Sequence, residues 1–68
     1  MKIKLNGEIH CVTFDKETQI FKILYPIYPR PLYVNYFGGV FFAEWAENGR
    51  EAFDECVALC MEYLDCIK

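Results

Sequence analysis

The sequence predicts an α+β fold: an antiparallel sheet of four to five short strands followed by one C-terminal helix packed on one face. Three observations carry the prediction. Two hairpin signals, Asn6-Gly7 and Gly38-Gly39, each lie between segments rich in β-branched and aromatic residues. Three prolines, Pro26, Pro29 and Pro31, separate the hairpins with a stretch that cannot donate to a ladder. After residue 49 the apolar spacing changes from alternation to the period of about 3.6 that marks a helix.

Strands at about 2–5 and 9–13 flank Asn6-Gly7, where both residues tolerate positive φ. A strict two-residue turn would set Ile3 beside His10 and Leu5 beside Glu8, mixing polar groups into the apolar face. A bulge or three-residue loop pairs Leu5 with Ile9 and Ile3 with Cys11, and that register is the expected one. Val12, Phe14, Phe21 and Ile23 then make the opposite face apolar as well. Asp15-Lys16-Glu17-Thr18 forms a polar turn into a third strand at about 19–25. The segment Pro26-Ile27-Tyr28-Pro29-Arg30-Pro31 reads as a rigid extended connector, because Arg30 follows Pro29 without the spacer a polyproline ligand needs.

The second hairpin spans about 32–37 and 40–46 around Gly38-Gly39. Its loop length puts Leu32, Val34, Tyr36, Phe41, Ala43 and Trp45 on a core face. Tyr33, Asn35, Phe37, Val40, Phe42 and Glu44 share the other face, a candidate exposed aromatic patch. Asn48 is placed to cap the helix, with Glu51 three positions on as its capping-box partner, and the helix runs from about 50 to 67.

A chain of 68 residues has room for one core, so residues 1–68 are expected to form a single compact domain. The 54% apolar content excludes disorder, and no apolar run reaches the roughly 18 residues of a membrane span. Met1-Lys2-Ile3-Lys4-Leu5 alternates and lacks the apolar core of a signal peptide, so a reducing, cytoplasmic location is expected, with Cys11, Cys56, Cys60 and Cys66 as free thiols. Net charge is −3 but uneven: residues 1–43 carry five Lys or Arg against three acids, and residues 44–68 carry two against seven. Such asymmetry predicts a polarised surface.

The residues argue against an enzyme. With no serine and one histidine, a serine triad is impossible and a Cys-His pair must use His10. Cys11 cannot serve, since neighbours on a strand point to opposite faces. Reaching a helix cysteine would require His10 to turn inward while Cys11 turned out. Gly38-Gly39 precedes a strand and matches no phosphate loop. Zinc held by the four cysteines would help so small a core, but Cys56 and Cys60 lie one turn apart within the helix's apolar arc, which suits buried thiols better than ligands. Neither catalytic residues, metal ligands nor a cofactor are expected.

Binding surfaces are easier to find. Glu51, Asp54, Glu55, Glu62 and Asp65 fall within one helical arc of about 100°, interrupted by Ala58 and containing no base; Lys68, near Asp65, is the plausible neighbour. Glu62 and Asp65 lie toward the negative end of the helix dipole, so local stability does not explain them. A row of carboxylates on a rigid rod can imitate spaced phosphates and attract a basic groove. The second candidate surface is Tyr33, Asn35, Phe37, Phe42 and Glu44. Aromatic sheets also stack single-stranded bases, but a sequence pI near 4.9 argues against direct nucleic-acid binding. The apolar surplus, finally, exceeds what one helix covers, which favours a tightly curled sheet or a homodimer.

In its order of strands and one final helix, the chain resembles small antitoxin-like domains. In size and acidity it is similar to phage-encoded inhibitors of host defence nucleases, the anti-CRISPR type among them. These likenesses of format imply a non-enzymatic inhibitor that docks its acidic helix, as a DNA mimic, or its aromatic sheet face on a nucleic-acid-binding protein. A homodimeric regulatory or antitoxin-like module is the alternative, and a small zinc-stapled domain the third reading.

Overall fold

Alternating side chains and two tight turns build a five-stranded antiparallel sheet in order β1-β2-β3-β4-β5 in a computed structural model, which describes residues 1–26 and 29–67. The strands are β1 (Lys2–Leu5), β2 (Glu8–Asp15), β3 (Ile20–Leu24), β4 (Leu32–Phe37) and β5 (Val40–Phe42). A 3-10 turn at Glu44–Glu47 leads into the helix α1, Arg50–Cys66. The expected α+β architecture is therefore the observed one. Of the proline connector, Ile27 and Tyr28 lie outside the described residues, as does Lys68.

The first hairpin corrects the expected register. Asn6 and Gly7 adopt φ of 53° and 80° and form a strict two-residue turn, so Ile3 faces His10 and Leu5 faces Glu8. A one-residue difference in register moves every side chain of a strand to the other face. The bulge would have set His10, Val12 and Phe14 away from Ile3; the tight turn puts them beside it. Val12, Phe21 and Ile23 are consequently fully buried, and Phe14 packs at the margin of the same core. They do not make the far face apolar. The register accepts one polar residue, His10, in exchange for four large apolar ones on the covered side, a trade that burial energies favour.

Phe53, Cys56, Leu59 and Cys60 of α1 meet Ile3, Val12, Phe21, Ile23, Tyr25 and Val34 in one core. The helix covers a single face. Its apolar arc is wider than that face, as the apolar surplus of the sequence predicts: Met61, Cys66 and Ile67 stay exposed.

β5 ends sooner than expected, at Phe42 rather than near residue 46. Trp45 supplies the reason. Its indole Nε1 donates to Tyr33 O at 2.8 Å, filling the ladder position that β5 leaves empty, while its ring stands edge-on to Phe53 at 5.9 Å. The chain can thus leave the sheet early without orphaning that carbonyl. The helix cap also differs. Gly49 is the N-cap and no side chain caps it, because Asn48 instead closes the 3-10 turn, its N–H donating to Trp45 O at 3.1 Å. Between β2 and β3, Asp15 Oδ1 accepts from the N–H of Glu17 at 2.9 Å and Thr18 at 3.4 Å, the polar turn the sequence predicts.

Candidate protein-binding surfaces

Register and alternation assign the side chains of the far face. Lys22 pairs with Tyr33 and Thr13, Ile20 with Asn35 and Asp15, and Asn35 in turn with Phe42. Tyr33, Asn35, Phe37 and Phe42 therefore share one face, as expected, and extend across the sheet to Ile20, Leu24, Cys11 and Ile9. Ile9, Leu24, Tyr33, Phe37, Val40 and Phe42 are each between 41% and 69% exposed, which no isolated surface side chain accounts for. Asn35 is half-buried and donates through Nδ2 to Phe42 O at 3.3 Å, tying β4 to β5 within the patch. Glu44 is exposed but belongs to the 3-10 turn rather than to a strand.

The same alternation sorts the charges. Lys2, Lys4 and Lys22 lie on the uncovered face with Asp15 at its lower end, whereas the acids of α1 project from the opposite side of the molecule. The uneven charge along the chain thus becomes two faces of opposite sign. Sequence reasoning singled out the aromatics of this face but missed the lysines beside them. Period-two spacing from Lys2 and the Thr13–Lys22 pairing were the signals that could have found them.

The acidic helix face is only partly the row expected. Glu51, Asp54, Glu62 and Asp65 are exposed. Arg50, absent from the predicted arc, lies 3.5 Å from Asp54 as an i,i+4 ion pair between two largely exposed side chains, a contact of small energetic worth. Glu55 is half-buried and accepts from Asn6 Nδ2 at 3.2 Å, tying the helix to the first turn. It serves the fold as much as any partner.

Inside the core the two-residue turn has brought together the side chains whose meeting was not expected. His10 turns inward and is 3% exposed, while Cys11 turns to the far face and is half-buried. The His10 ring stands edge-on to Tyr25 at 4.5 Å, and a 3.6 Å hydrogen bond joins Tyr25 Oη to Cys56 Sγ. His10 Nδ1 has no hydrogen-bond partner among the described residues. Burial raises the Cys56 thiol against a smaller opposing effect of the Tyr25 bond, and pushes Cys60 up to about 12 with help from Cys56. Protonated and closed off from water, these thiols are poor nucleophiles and poor metal ligands. Among the described residues no three His, Cys, Asp or Glu side chains converge as a metal site would require, and no helix is long and apolar enough to cross a membrane.

An apolar groove of about 540 Å³ runs between the second hairpin and the last turns of α1, lined by Tyr36, Gly39, Phe41, Met61, Leu64, Asp65 and Ile67. The exposed end of the helix's apolar arc forms one of its walls. No family model, curated protein sequence or solved structure matches the chain.

Proposed function

We propose that the chain is a non-enzymatic protein-binding module that docks through the uncovered face of its sheet and inhibits its partner by occupying a working surface. One observation carries this reading: six large apolar side chains, 41% to 69% exposed, lie together on a rigid sheet face that the helix does not cover. Tyr33, Phe37 and Phe42 are residue types that anchor interfaces, since each offers large contact area at small entropic cost. Lys2 and Lys4 on the edge strand provide part of the polar rim such interfaces carry, Lys22 on the central strand sets a positive charge within the face, and their sign selects a partner whose apolar patch is accompanied by carboxylates. The burial of His10, Cys56 and Cys60, together with the wide exposure of the helix carboxylates, supports the absence of catalysis.

A second reading has its own support. Glu51 to Asp65 places exposed carboxylates over about 21 Å of helix at 1.5 Å per residue, a spacing that suits a basic groove of a nucleic-acid-binding protein. Affinity capture with three forms of the protein separates the two. The wild type, Phe37→Ser with Phe42→Ser, and Glu51→Lys with Glu62→Lys are compared for the same captured protein. Retention by the helix variant with loss from the sheet variant is the expected result. The reverse pattern assigns docking to the acidic helix and removes the sheet-face reading.

A further inference from the structure

The two edges of the sheet are chemically unlike. β1 carries Lys2 and Lys4, and charge on an edge strand penalises the approach of another strand. At the other edge, Gly38 to Ala43 contains neither charge nor proline, the composition of a pairing template. The backbone there is also oriented to pair. The two-residue loop, with Gly38 and Gly39 at φ of 59° and 82°, makes Phe37 and Val40 a hydrogen-bonded pair, Asn35 and Phe42 the next, and Tyr36 with Phe41 the non-bonded pair between them. Asn35 Nδ2 reaches Phe42 O at 3.3 Å, which marks that carbonyl as turned toward β4. The N–H and C=O of Phe41 therefore point out of the edge, and among the described residues no turn, loop or cap bond occupies them.

We propose that this edge pairs with β5 of a second copy, antiparallel about a two-fold axis at Phe41, so that two five-stranded sheets become one continuous sheet. On that axis each Phe41 exchanges two backbone hydrogen bonds with its counterpart, and Val40 of each copy stands opposite Phe42 of the other. A second copy suits the edge because the segment is self-complementary. Self-pairing at β5 opposes only apolar groups, whereas self-pairing at β1 would set lysine against lysine. The contact is isologous and closes at two. Phe41 faces the apolar groove beside Met61 and Leu64, so pairing also withdraws part of that lining from water. The uncovered sheet face stays free, and the inference stands independently of the docking reading.

Sedimentation equilibrium at micromolar concentration tests it, with amide exchange at Phe41 as the second measurement. The expected result is a species of twice 8.0 kDa that Val40→Lys returns to the single-chain mass, with the Phe41 amide exchanging at least about tenfold more slowly in the wild type than in the variant. Leu24→Lys puts the same charge on the same face away from the edge and should leave the dimer intact. A wild type of single-chain mass overturns the proposal. So does a dimer that Leu24→Lys splits while Val40→Lys does not, which would be pairing face to face, and so do open-ended aggregates in place of a closed pair.

Discussion

His10 is the residue at which the core departs from apolar packing. Its ring is useful, filling space beside Tyr25, but Nδ1 is buried without a partner among the described residues. An unsatisfied buried polar atom costs about 1–3 kcal/mol. His10→Leu should therefore leave stability unchanged or raise it by about 1 kcal/mol in urea unfolding; a loss above about 2 kcal/mol would show that an ordered water satisfies Nδ1 in solution. Cys60 supplies a pH dependence of definite sign. Burial raises its pKa from 9.0 to about 12, so the folded chain keeps a proton that the unfolded chain releases. Its contribution is intact below pH 9.0 and is lost progressively as the pH rises to about 12. Urea midpoints should fall across that window, and Cys60→Ala, although less stable at neutral pH, should fall less steeply.

At the scale of elements, side chains replace backbone where regular pairing stops. Trp45 replaces a strand residue by donating from its indole to Tyr33 O at 2.8 Å, which allows β5 to end after three residues and the chain to turn toward α1. Trp45→Phe keeps the ring against Phe53 and deletes the donor, and should cost about 1 kcal/mol with local fraying of β4 visible in amide exchange. The Phe41 edge is open because β5 is the last strand of the sheet, and Trp45 sets where that edge ends. The first turn has a comparable reach. Asn6 at positive φ sets the register of β1 against β2 and, through Nδ2, binds Glu55 on the helix.

Across the whole molecule, one helix covers one face and leaves the other in water. That division separates charge as well as hydrophobicity, since the lysines of β1 and β3 lie with the exposed aromatics and the acids of α1 lie opposite. A net charge of −3 therefore says little about what the aromatic face meets. Because Phe37 and Phe42 contribute little to the core, Phe37→Ser with Phe42→Ser should change unfolding stability by less than about 0.5 kcal/mol per site while abolishing capture of the partner. A larger loss of stability, accompanied by unchanged capture, would make the face a structural surface instead of a docking one.

Much of this was legible in the amino acids alone. Alternation, two glycine turns and a late helical period determine five strands and a helix, and the loop of the second hairpin determines that Tyr33, Asn35, Phe37 and Phe42 share a face. Such features are local, set by neighbours within a turn or a hairpin. Only the tertiary structure decided the register of the first hairpin. There the local preference for an apolar Ile3–Cys11 pair yields to the burial of Val12, Phe14, Phe21 and Ile23 under a helix some forty residues away in sequence. The same packing turned His10 inward, brought it to Tyr25 near Cys56, and gathered the lysines on the uncovered face. Register is a choice between two local pairings of similar cost, and only the sum of distant contacts separates them.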